Sequence, residues 1–390
     1  MPRILGIETS CDETAAAIVA CDYERSKRES AMSVRSTVPC ESKQAFTGTN
    51  KQILSNVISS HIKEHQPYGG VVPEISSRAH LRLIREVVEK AFADANMAYD
   101  DIDAIAVTAG PGLIGGVIVG VMTAKAMAMA LNKPIIAVNH LEGHALTVRL
   151  TEDVTYPYLL FLASGGHCQF LAVHGLGQYT LLGQTLDDAL GECYDKVAKM
   201  LGLPYPGGPE VEARAKLGTI DERLFPIPMA GRKGADMSFS GLKTAVRQYI
   251  QALGTPSEQK IADICASFQW AAAQSVVEKL GAAINTYEDT RSAVSKPHES
   301  STREAASHVR GVAEHGDKTI VFAGGVAANQ YLRGRIEEVC AVNGYSLHVP
   351  PIALCTDNAA MIAWAGMEYF LSGKVDSLEF EPKANWPLSS

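Results

Sequence analysis

The amino-acid sequence predicts an α/β protein whose two halves share one plan. Both halves open with a strand, a polar turn and a second strand, written RILGIETSCDETAAAIVA from Arg3 and YLLFLASGGHCQFLAVHG from Tyr158. Both continue with a buried strand, a glycine-rich turn and a helix, in AIAVTAGPGLIGGVIVGVMTAKAMA and in TIVFAGGVAANQYLRGRIEEV. Short apolar runs bounded by Gly and Pro, with helical segments between them, are typical of buried strands covered by helices.

The bulk composition restricts the class of protein. A chain of 390 residues is long for one hydrophobic core, so two domains are expected. Its 46% hydrophobic and 20% charged residues are ordinary globular values and exclude overall disorder. Eight cysteines without a C-x-x-C pair favour reduced thiols in a cytosol over a disulfide framework or a cysteine-based zinc site.

The hydrophobic segments predict no contact with a membrane. No apolar run approaches the roughly 18 residues that span a bilayer. The longest, GGVIVGVMTAKAMAMAL, contains Lys125 and is predicted to be a buried helix. The first strand pattern starts almost at the first residue and leaves no room for a targeting segment. We therefore expect a cytoplasmic protein.

Two segments are candidates for contact with RNA in a chain whose formal net charge is −8. The first lies in a polar stretch of about residues 22–51 and carries Arg25, Lys27, Arg28 and Arg35. The second, Met229–Gln248, combines the aromatic Phe239 with Arg232, Lys233, Lys243 and Arg247. For both segments, ordinary solvated surface charge is the open alternative. Residues of about 287–317 form another polar stretch, and we predict both polar stretches to be solvated insertions.

A pair of histidines in NHLEGHALT suggests a metal site. His140 and His144 are four residues apart, so on a helix both imidazoles share one face and can reach one ion. An ordinary pair on a helix surface is the alternative. A zinc peptidase of the H-E-x-x-H type has its general base directly after the first histidine, where this chain has Leu141. Glu142 is rotated by about 200° from His140 around the helix, which argues against a peptidase.

The histidine pair needs a third ligand from elsewhere in the chain. The best candidate is Asp357 in LCTDNAAMIA, where an acid precedes an apolar helix. A plain N-cap role for Asp357 is the alternative.

Three glycine turns predict a nucleotide site. They are SGGH at Ser164–His167, YPGGP at Tyr205–Pro209 and AGGVAAN at Ala323–Asn329. Each allows backbone N–H groups to approach an anion closely. None follows the Walker A or the Rossmann pattern, so P-loop and dinucleotide sites are poorly supported.

Three acidic residues are further candidates for binding or catalysis. Asp195 in GECYDKVAKMLG lies on an amphipathic helix and either accepts hydrogen bonds from ligand hydroxyls or pairs with Lys199. SCDET places Asp12 and Glu13 in a hairpin that either faces the phosphates of a nucleotide or is simply a favourable turn.

The ordered set of motifs closely resembles the TsaD family, the tRNA N6-adenosine threonylcarbamoyltransferases once labelled glycoproteases. The resemblance extends from Arg3 to Pro387 except in the two insertions. It rests on GIETSCDET, GGVVPEISSRAHL, AGPGLIGG, VNHLEGH, SGGH, GECYDKVAKMLGLPYPGGP, SFSGLKT, GGVAAN and CTDNAAMIA. Cys168, Ala327 and Ala359 depart from the family pattern, but they are small replacements beside the implied ligand positions.

This resemblance implies a duplicated actin-like ATPase fold, of the type shared by sugar kinases and actin, with two related domains and a ligand cleft between them. On this basis residues 1–150 form the N-terminal domain, which the C-terminal helix after residue 357 completes. Residues 151–356 form the C-terminal domain.

The resemblance also implies the site residues. One divalent metal ion, with iron(II) favoured over zinc(II), would be held by His140, His144 and Asp357. The adenylate of the substrate, or ATP, would bind to Leu162, Ala163, Ser164, Gly165, Gly166, Asp195, Gly208 and Asn329. The catalytic group is left open, with Asp12 and Glu13 as candidates.

The implied reaction transfers the threonylcarbamoyl group of threonylcarbamoyl-AMP to N6 of the adenosine 3′-adjacent to the anticodon in tRNAs that read ANN codons. The product is N6-threonylcarbamoyladenosine. A separate synthase would supply the donor, and a small paralogous actin-like protein and an ATPase are the implied partners. A metallopeptidase, a small-molecule kinase and a non-catalytic scaffold fit less well, because Leu141 replaces the peptidase base and the last two have no use for the histidine pair.

Overall fold

A computed structural model describes residues 1–23, 48–294 and 318–389. The strands of these residues are β1 (Arg3–Glu8), β2 (Glu13–Tyr23), β3 (Gly48–Ser60), β4 (Ala104–Gly110), β5 (Ile135–Asn139), β6 (Tyr158–Ala163), β7 (Cys168–Gly175), β8 (Gln178–Gln184), β9 (Thr319–Ala323) and β10 (Ser346–His348). The α-helices are α1 (Ile62–His65), α2 (Pro73–Asp94), α3 (Ile114–Leu131), α4 (His140–Thr151), α5 (Leu190–Met200), α6 (Gly207–Ala215), α7 (Ser240–Leu253), α8 (Glu258–Val294), α9 (Gln330–Asn343), α10 (Ile352–Cys355) and α11 (Ala359–Leu371). Short 3₁₀ helices occur at Gln66–Tyr68, Tyr99–Asp101 and Gly325–Ala328.

The chain divides into two compact units, each with its own sheet. The first unit comprises Met1–His61, Pro73–Thr155 and Asn358–Trp386. The second comprises Ile62–Val72, Tyr156–Asp357 and Pro387–Ser390. The basic residues of the first insertion, Arg25, Lys27, Arg28 and Arg35, lie outside the described residues.

In the first unit the strand order is β3-β2-β1-β4-β5. Strand β1 pairs antiparallel with β2 and parallel with β4. Helix α11 lies directly on β1, because Gly6 has no side chain. A Cβ atom at Gly6 would come within 2.3 Å of the carbonyl oxygen of Ala359. This close approach fixes the start of α11 against the sheet.

Helix α3 is apolar on all sides. Among the described residues it is the one helix long and apolar enough to cross a membrane, with 18 residues and a mean hydropathy of 1.8. One face, including Val117 and Val121, is buried in the first unit, whereas Met122 and Met129 are exposed. The prediction of a buried helix is therefore correct for one face only.

The second unit repeats the topology of the first. Its strand order is β10-β9-β6-β7-β8. Strand β6 pairs antiparallel with β7 and parallel with β9, as β1 does with β2 and β4. This repetition confirms the predicted duplicated α/β fold.

Helix α8 extends further than the sequence pattern predicts. It includes residues 287–294, which the sequence pattern places in a polar insertion of about 287–317. Tyr287 explains the difference, because its ring is buried in the core of the second unit and holds this turn of the helix in place. Residues 295–317 lie outside the described part of the chain.

Candidate metal centre and ligand turns

The histidine pair stands on a helix whose start is firmly capped. The Asn139 side chain accepts a hydrogen bond from the Leu141 backbone N–H at 2.9 Å, and its amide donates to the Trp386 carbonyl at 2.9 Å. The rings of His140 and His144 are 4.8 Å apart between centroids and nearly perpendicular, at 87°. His140 is 8% exposed and His144 1% exposed, so the alternative of a surface pair is wrong.

The three predicted metal ligands lie close together. One ligand atom from each of His140, His144 and Asp357 lies within 4.8 Å of the other two. Ligand atoms about 2.1 Å from one ion are at most about 4.2 Å apart, so small side-chain rotations bring all three onto a single ion. Two imidazoles and one carboxylate suit iron(II) or zinc(II) and leave coordination positions open.

Asp357 is not the N-cap of α11. That role belongs to the next residue, Asn358, whose side chain accepts a hydrogen bond from the Met361 N–H at 3.1 Å. The N-cap alternative for Asp357 is therefore wrong. Asp357 immediately precedes this capped helix in the chain.

Glu142 is engaged with α11. Its Oε2 accepts a hydrogen bond from the Tyr369 hydroxyl at 2.9 Å. Burial, reinforced by the neighbouring Glu142 carboxylate, raises the pKa of Tyr369 above its ordinary value. Glu142 therefore has a structural partner and does not occupy the position of a peptidase base.

Glu8 is a residue of the site that the sequence pattern did not identify. It is fully buried at the end of β1. Its carboxylate lies 2.9 Å from His140 Nδ1 and accepts a hydrogen bond from the Thr108 hydroxyl at 2.5 Å. An acid at the end of an otherwise apolar buried strand was the available signal, because a buried charge needs partners.

The hairpin that carries Asp12 and Glu13 is tied to neighbouring elements. The Asp12 carbonyl accepts a hydrogen bond from the His61 N–H at 2.9 Å. His80 Nε2 of α2 lies 3.1 Å from the carbonyl oxygen of Cys11. Asp12 and Glu13 consequently have fixed backbone positions in the first unit.

In the second unit, Ser164 closes the SGGH turn after β6. Its hydroxyl accepts hydrogen bonds from the N–H groups of Gly166 at 3.3 Å and His167 at 3.1 Å. A Cβ atom added at Gly165 or Gly166 would meet no atom within 4 Å. Packing of the protein therefore does not require glycine at these two positions.

The AGGVAAN turn contacts the end of β6. Gly324 has a φ of +91°, and a Cβ atom there would lie 2.4 Å from the Ala163 carbonyl oxygen, so packing does require this glycine. Asn329 caps α9 by accepting from the Leu332 N–H at 2.8 Å, and its amide donates to Gln269 Oε1 at 3.1 Å. Asn329 thus shapes the turn as well as being a predicted ligand residue.

Asp195 joins α5 to the YPGGP turn. Its Oδ1 accepts a hydrogen bond from the Gly207 N–H, the first residue of α6, at 2.7 Å. The alternative predicted from the sequence is an ion pair between Asp195 and Lys199. In the structure the Lys199 ammonium donates to the Tyr68 carbonyl at 3.0 Å. At Gly208 an added Cβ atom would again meet no atom within 4 Å.

The basic patch predicted for Met229–Gln248 is smaller than the sequence pattern indicates. Phe239 is buried in the core of the second unit, so the prediction of an aromatic group among accessible cations is wrong. Lys243 forms an ion pair with Asp188, which also pairs with Lys196 at 2.9 Å. Arg232, Lys233 and Arg247 remain exposed.

Asp187 holds the start of α7 through hydrogen bonds to its carboxylate. It accepts from the hydroxyls of Ser238 at 2.5 Å and Ser240 at 2.6 Å, and from the N–H groups of Phe239 and Ser240. Partial burial raises the pKa of Asp187, but these hydrogen bonds outweigh it and hold the pKa below its ordinary value of 3.8.

Replacing Asp187 by asparagine is expected to lower stability in a pH-dependent manner. The folded-state pKa is depressed, so the stabilisation is present above the unfolded-state pKa and is lost as pH falls through the folded-state pKa. We expect a loss of about 1 kcal/mol at pH 7, because charged hydrogen bonds are worth about 1.5–3 kcal/mol and exposure reduces this. Thermal unfolding of both proteins from pH 7 to pH 2 checks it, and a pH-independent difference would contradict it.

Comparisons with known proteins agree on one family. The family model described as "TsaD: tRNA N6-adenosine threonylcarbamoyltransferase" matches residues 52–364. A Brucella anthropi protein named tRNA N6-adenosine threonylcarbamoyltransferase is 50% identical over 386 residues, which are 99% of this chain and 95% of that protein. A Rhodospirillum rubrum protein of the same name is 49% identical over 388 residues, covering 99% of this chain and 94% of that protein.

Among solved structures, the HypF protein of T. kodakarensis is similar with a TM-score of 0.53 and 14% sequence identity. The similarity covers 95% of this chain and 48% of that chain. At this identity the similarity concerns the fold alone, and it agrees with a duplicated actin-like fold.

Proposed function

Since the chain belongs to the TsaD family of tRNA N6-adenosine threonylcarbamoyltransferases, we propose that it carries out this transfer with one divalent metal ion held by His140, His144 and Asp357. The chain is a transferase that converts an adenosine of tRNA to N6-threonylcarbamoyladenosine. One observation supports the metal above all others, namely three ligand atoms of suitable chemistry within 4.8 Å of one another.

The proposal takes iron(II) over zinc(II) from the family resemblance, and the donor set is compatible with it. Two histidines and one carboxylate, with the remaining positions open, are the ligands of many non-haem iron(II) sites. When bound, the ion would supply a Lewis acid that polarises the carbamoyl carbonyl. The role of the protein is to fix the two imidazoles through the capped α4 and Asp357 through its place before α11.

The donor in this proposal is threonylcarbamoyl-AMP made by a separate synthase, and AMP is its leaving group. The acceptor is N6 of the adenosine 3′-adjacent to the anticodon in tRNAs that read ANN codons. An anticodon loop presents unstacked bases at low cost, which suits an enzyme that must reach an exocyclic amine. Such an amine is a poor nucleophile, so positioning of the two substrates contributes most of the rate enhancement.

The adenylate, or ATP, is proposed to bind the turns of the second unit at Leu162, Ala163, Ser164, Gly165, Gly166, Asp195, Gly208 and Asn329. Space around the glycines supports this assignment. A Cβ atom added at Gly165, Gly166 or Gly208 would meet no atom within 4 Å beyond the adjacent residues, so a ligand can approach their backbone closely. The Asp195 carboxylate accepts a hydrogen bond from the Gly207 N–H, and a carboxylate has several lone pairs, which suits it to accept from ribose hydroxyls as well.

Replacing Gly165 by valine tests the nucleotide site without disturbing the fold. We expect the melting temperature to change little, because no atom beyond the adjacent residues lies within 4 Å of the new Cβ position. Affinity for AMP should fall by about tenfold or more, equivalent to ~1.4 kcal/mol, because the side chain occupies the space of the ligand. Calorimetric titration of AMP measures this, and unchanged affinity in a folded variant would remove the SGGH turn from the site.

Asp12 and Glu13 are the proposed acceptors of the proton that N6 loses. Both are acids on a hairpin whose backbone is fixed by His61 and His80.

The small paralogous actin-like partner and the ATPase partner belong to the same proposal, as does a cytoplasmic location. The described cysteines are all free thiols, which agrees with a reducing compartment.

The histidine pair also suggests a second function, that of a metallopeptidase. It lacks support, because Leu141 occupies the position of the base and Glu142 is bound to Tyr369.

Reconstitution tests the proposed function directly. Purified protein with the synthase, the partners, threonine, bicarbonate, ATP and unmodified tRNA is expected to yield N6-threonylcarbamoyladenosine in digested tRNA. A tRNA whose target adenosine is replaced serves as the control. Peptide release from a protein substrate, with no modified nucleoside, would overturn the transferase and favour the peptidase.

A further inference from the structure

A carboxylate lies behind the histidine pair and has no assigned role. Glu8 is the last residue of β1, and the strand residues before it, from Ile4 onward, are buried. Glu8 itself is fully buried. Because an isolated charge in this position is very costly, its partners must compensate for the loss of water.

Three donor groups surround the Glu8 carboxylate. The Ser10 N–H donates to Oε1 at 2.5 Å, and the Thr108 hydroxyl donates to Oε2 at 2.5 Å. His140 Nδ1 lies 2.9 Å from the same Oε2. Ser10 also contributes its hydroxyl, which is 3.1 Å from His140 Nδ1. Because Oε2 accepts from the Thr108 hydroxyl, it is placed as an acceptor toward His140 as well, and the contact with His140 then puts a proton on Nδ1.

We infer that Glu8 is a positioning residue that fixes the tautomer and the ring orientation of His140. With the proton on Nδ1, the lone pair of His140 lies on Nε2 and is available to a cation. A carboxylate that receives the second N–H of a metal-binding histidine also increases the basicity of the ligand. This inference rests on the metal centre proposed above, and it assigns the buried acid of GIETS a part in that centre.

The isosteric variant Glu8→Gln makes a sharp test, because the surroundings dictate how the amide is oriented. The Ser10 backbone N–H faces Oε1 and requires an acceptor there, so the amide oxygen takes this position. The amide NH₂ group then takes the position of Oε2 and faces His140 Nδ1. As a donor, it favours a lone pair on Nδ1 and a proton on Nε2, which is the wrong tautomer for binding through Nε2.

Metal titration of the metal-free protein measures the first consequence. Glu8→Gln is expected to bind zinc(II), and iron(II) without oxygen, about 10- to 100-fold more weakly than the wild type. His140→Ala is the reference for loss of a ligand. Thr147→Val is the matched control, because it removes a buried hydroxyl from the same helix that bonds to the Gly143 carbonyl and not to His140.

Nitrogen NMR of histidine-labelled, metal-free protein measures the second consequence. The His140 signals, assigned by their absence in His140→Ala, should show a proton on Nδ1 in the wild type and on Nε2 in Glu8→Gln. The wild-type spectrum tests the inference even if the variant fails to fold. A merely structural role for Glu8 would leave the tautomer unchanged.

The outcomes separate Glu8 from the metal centre. A wild-type His140 that carries its proton on Nε2 would overturn the role of Glu8. If folded Glu8→Gln protein binds metal as tightly as the wild type, and only His140→Ala loses binding, the role of Glu8 is also overturned while the metal centre stays intact. Absence of metal binding by the wild type would overturn the metal centre itself, and the role of Glu8 with it.

Discussion

His140→Ala protein is expected to contain no stoichiometric metal ion and to modify tRNA at least about a hundredfold more slowly than the wild type. His140 supplies one of three ligands that lie within 4.8 Å, and two remaining ligands bind an ion weakly. Polarisation of a carbonyl by a bound ion is worth several kcal/mol in the transition state, and ~1.4 kcal/mol corresponds to a tenfold change in rate. Metal analysis of the purified protein and initial rates of nucleoside formation measure the two effects.

An exposed histidine provides the control for this substitution. His174 on β7 bonds to the Thr180 hydroxyl at 3.1 Å, and His174→Ala should keep both the metal and the rate. Full transfer activity in His140→Ala would contradict the metal assignment.

Glu368→Ala is expected to destabilise the first unit by about 3–5 kcal/mol. Glu368 on α11 accepts a hydrogen bond from Arg149 on α4 at 2.8 Å, and their side chains are only 3% and 8% exposed. Arg149 also donates to the Val154 carbonyl. Removing the acid takes one buried acceptor and negative charge away from the guanidinium, which is among the costliest single changes in a core. Thermal and urea unfolding of the full chain measure the loss.

A double substitution distinguishes the effect of the lost negative charge from the effect of the lost packing. Arg149→Met combined with Glu368→Leu removes both charges at similar volume and should restore most of the stability. Helix α4 of this ion pair carries His140 and His144, and helix α11 follows Asp357 in the chain. Metal affinity should therefore fall in Glu368→Ala and recover in the double variant, in parallel with stability. A loss below about 1 kcal/mol in Glu368→Ala would show that the ion pair does not hold α4 against α11.

The repeated fold could be predicted because its signals are local. A strand, a polar turn and a strand recur in both halves, and in the structure they pair antiparallel as β1–β2 and β6–β7. The histidine pair could likewise be predicted from helical spacing. Asp357 could not be selected from spacing alone, because Asp357 and Asn358 are adjacent and both are good N-cap residues. The hydrogen bond from Met361 assigns that role to Asn358.

The remaining differences depend on contacts between residues far apart in the chain. Glu8 lies at a strand end, and only the packing of the first unit places it beside Thr108 and His140, which are 100 and 132 positions away. The sequence pattern predicts a basic surface that includes Lys243, because the partner of Lys243, Asp188, is 55 positions away. Helix α3 is apolar on every side, so its sequence does not specify which face is buried.

Removing and restoring the ion tests whether the transfer reaction requires a metal ion at His140, His144 and Asp357. Wild-type protein treated with a chelator is expected to lose formation of N6-threonylcarbamoyladenosine and to regain it with one equivalent of iron(II) per chain. His140→Ala, treated in the same way, should regain nothing. Full transfer activity in wild-type protein shown by elemental analysis to be metal-free would contradict the proposed centre.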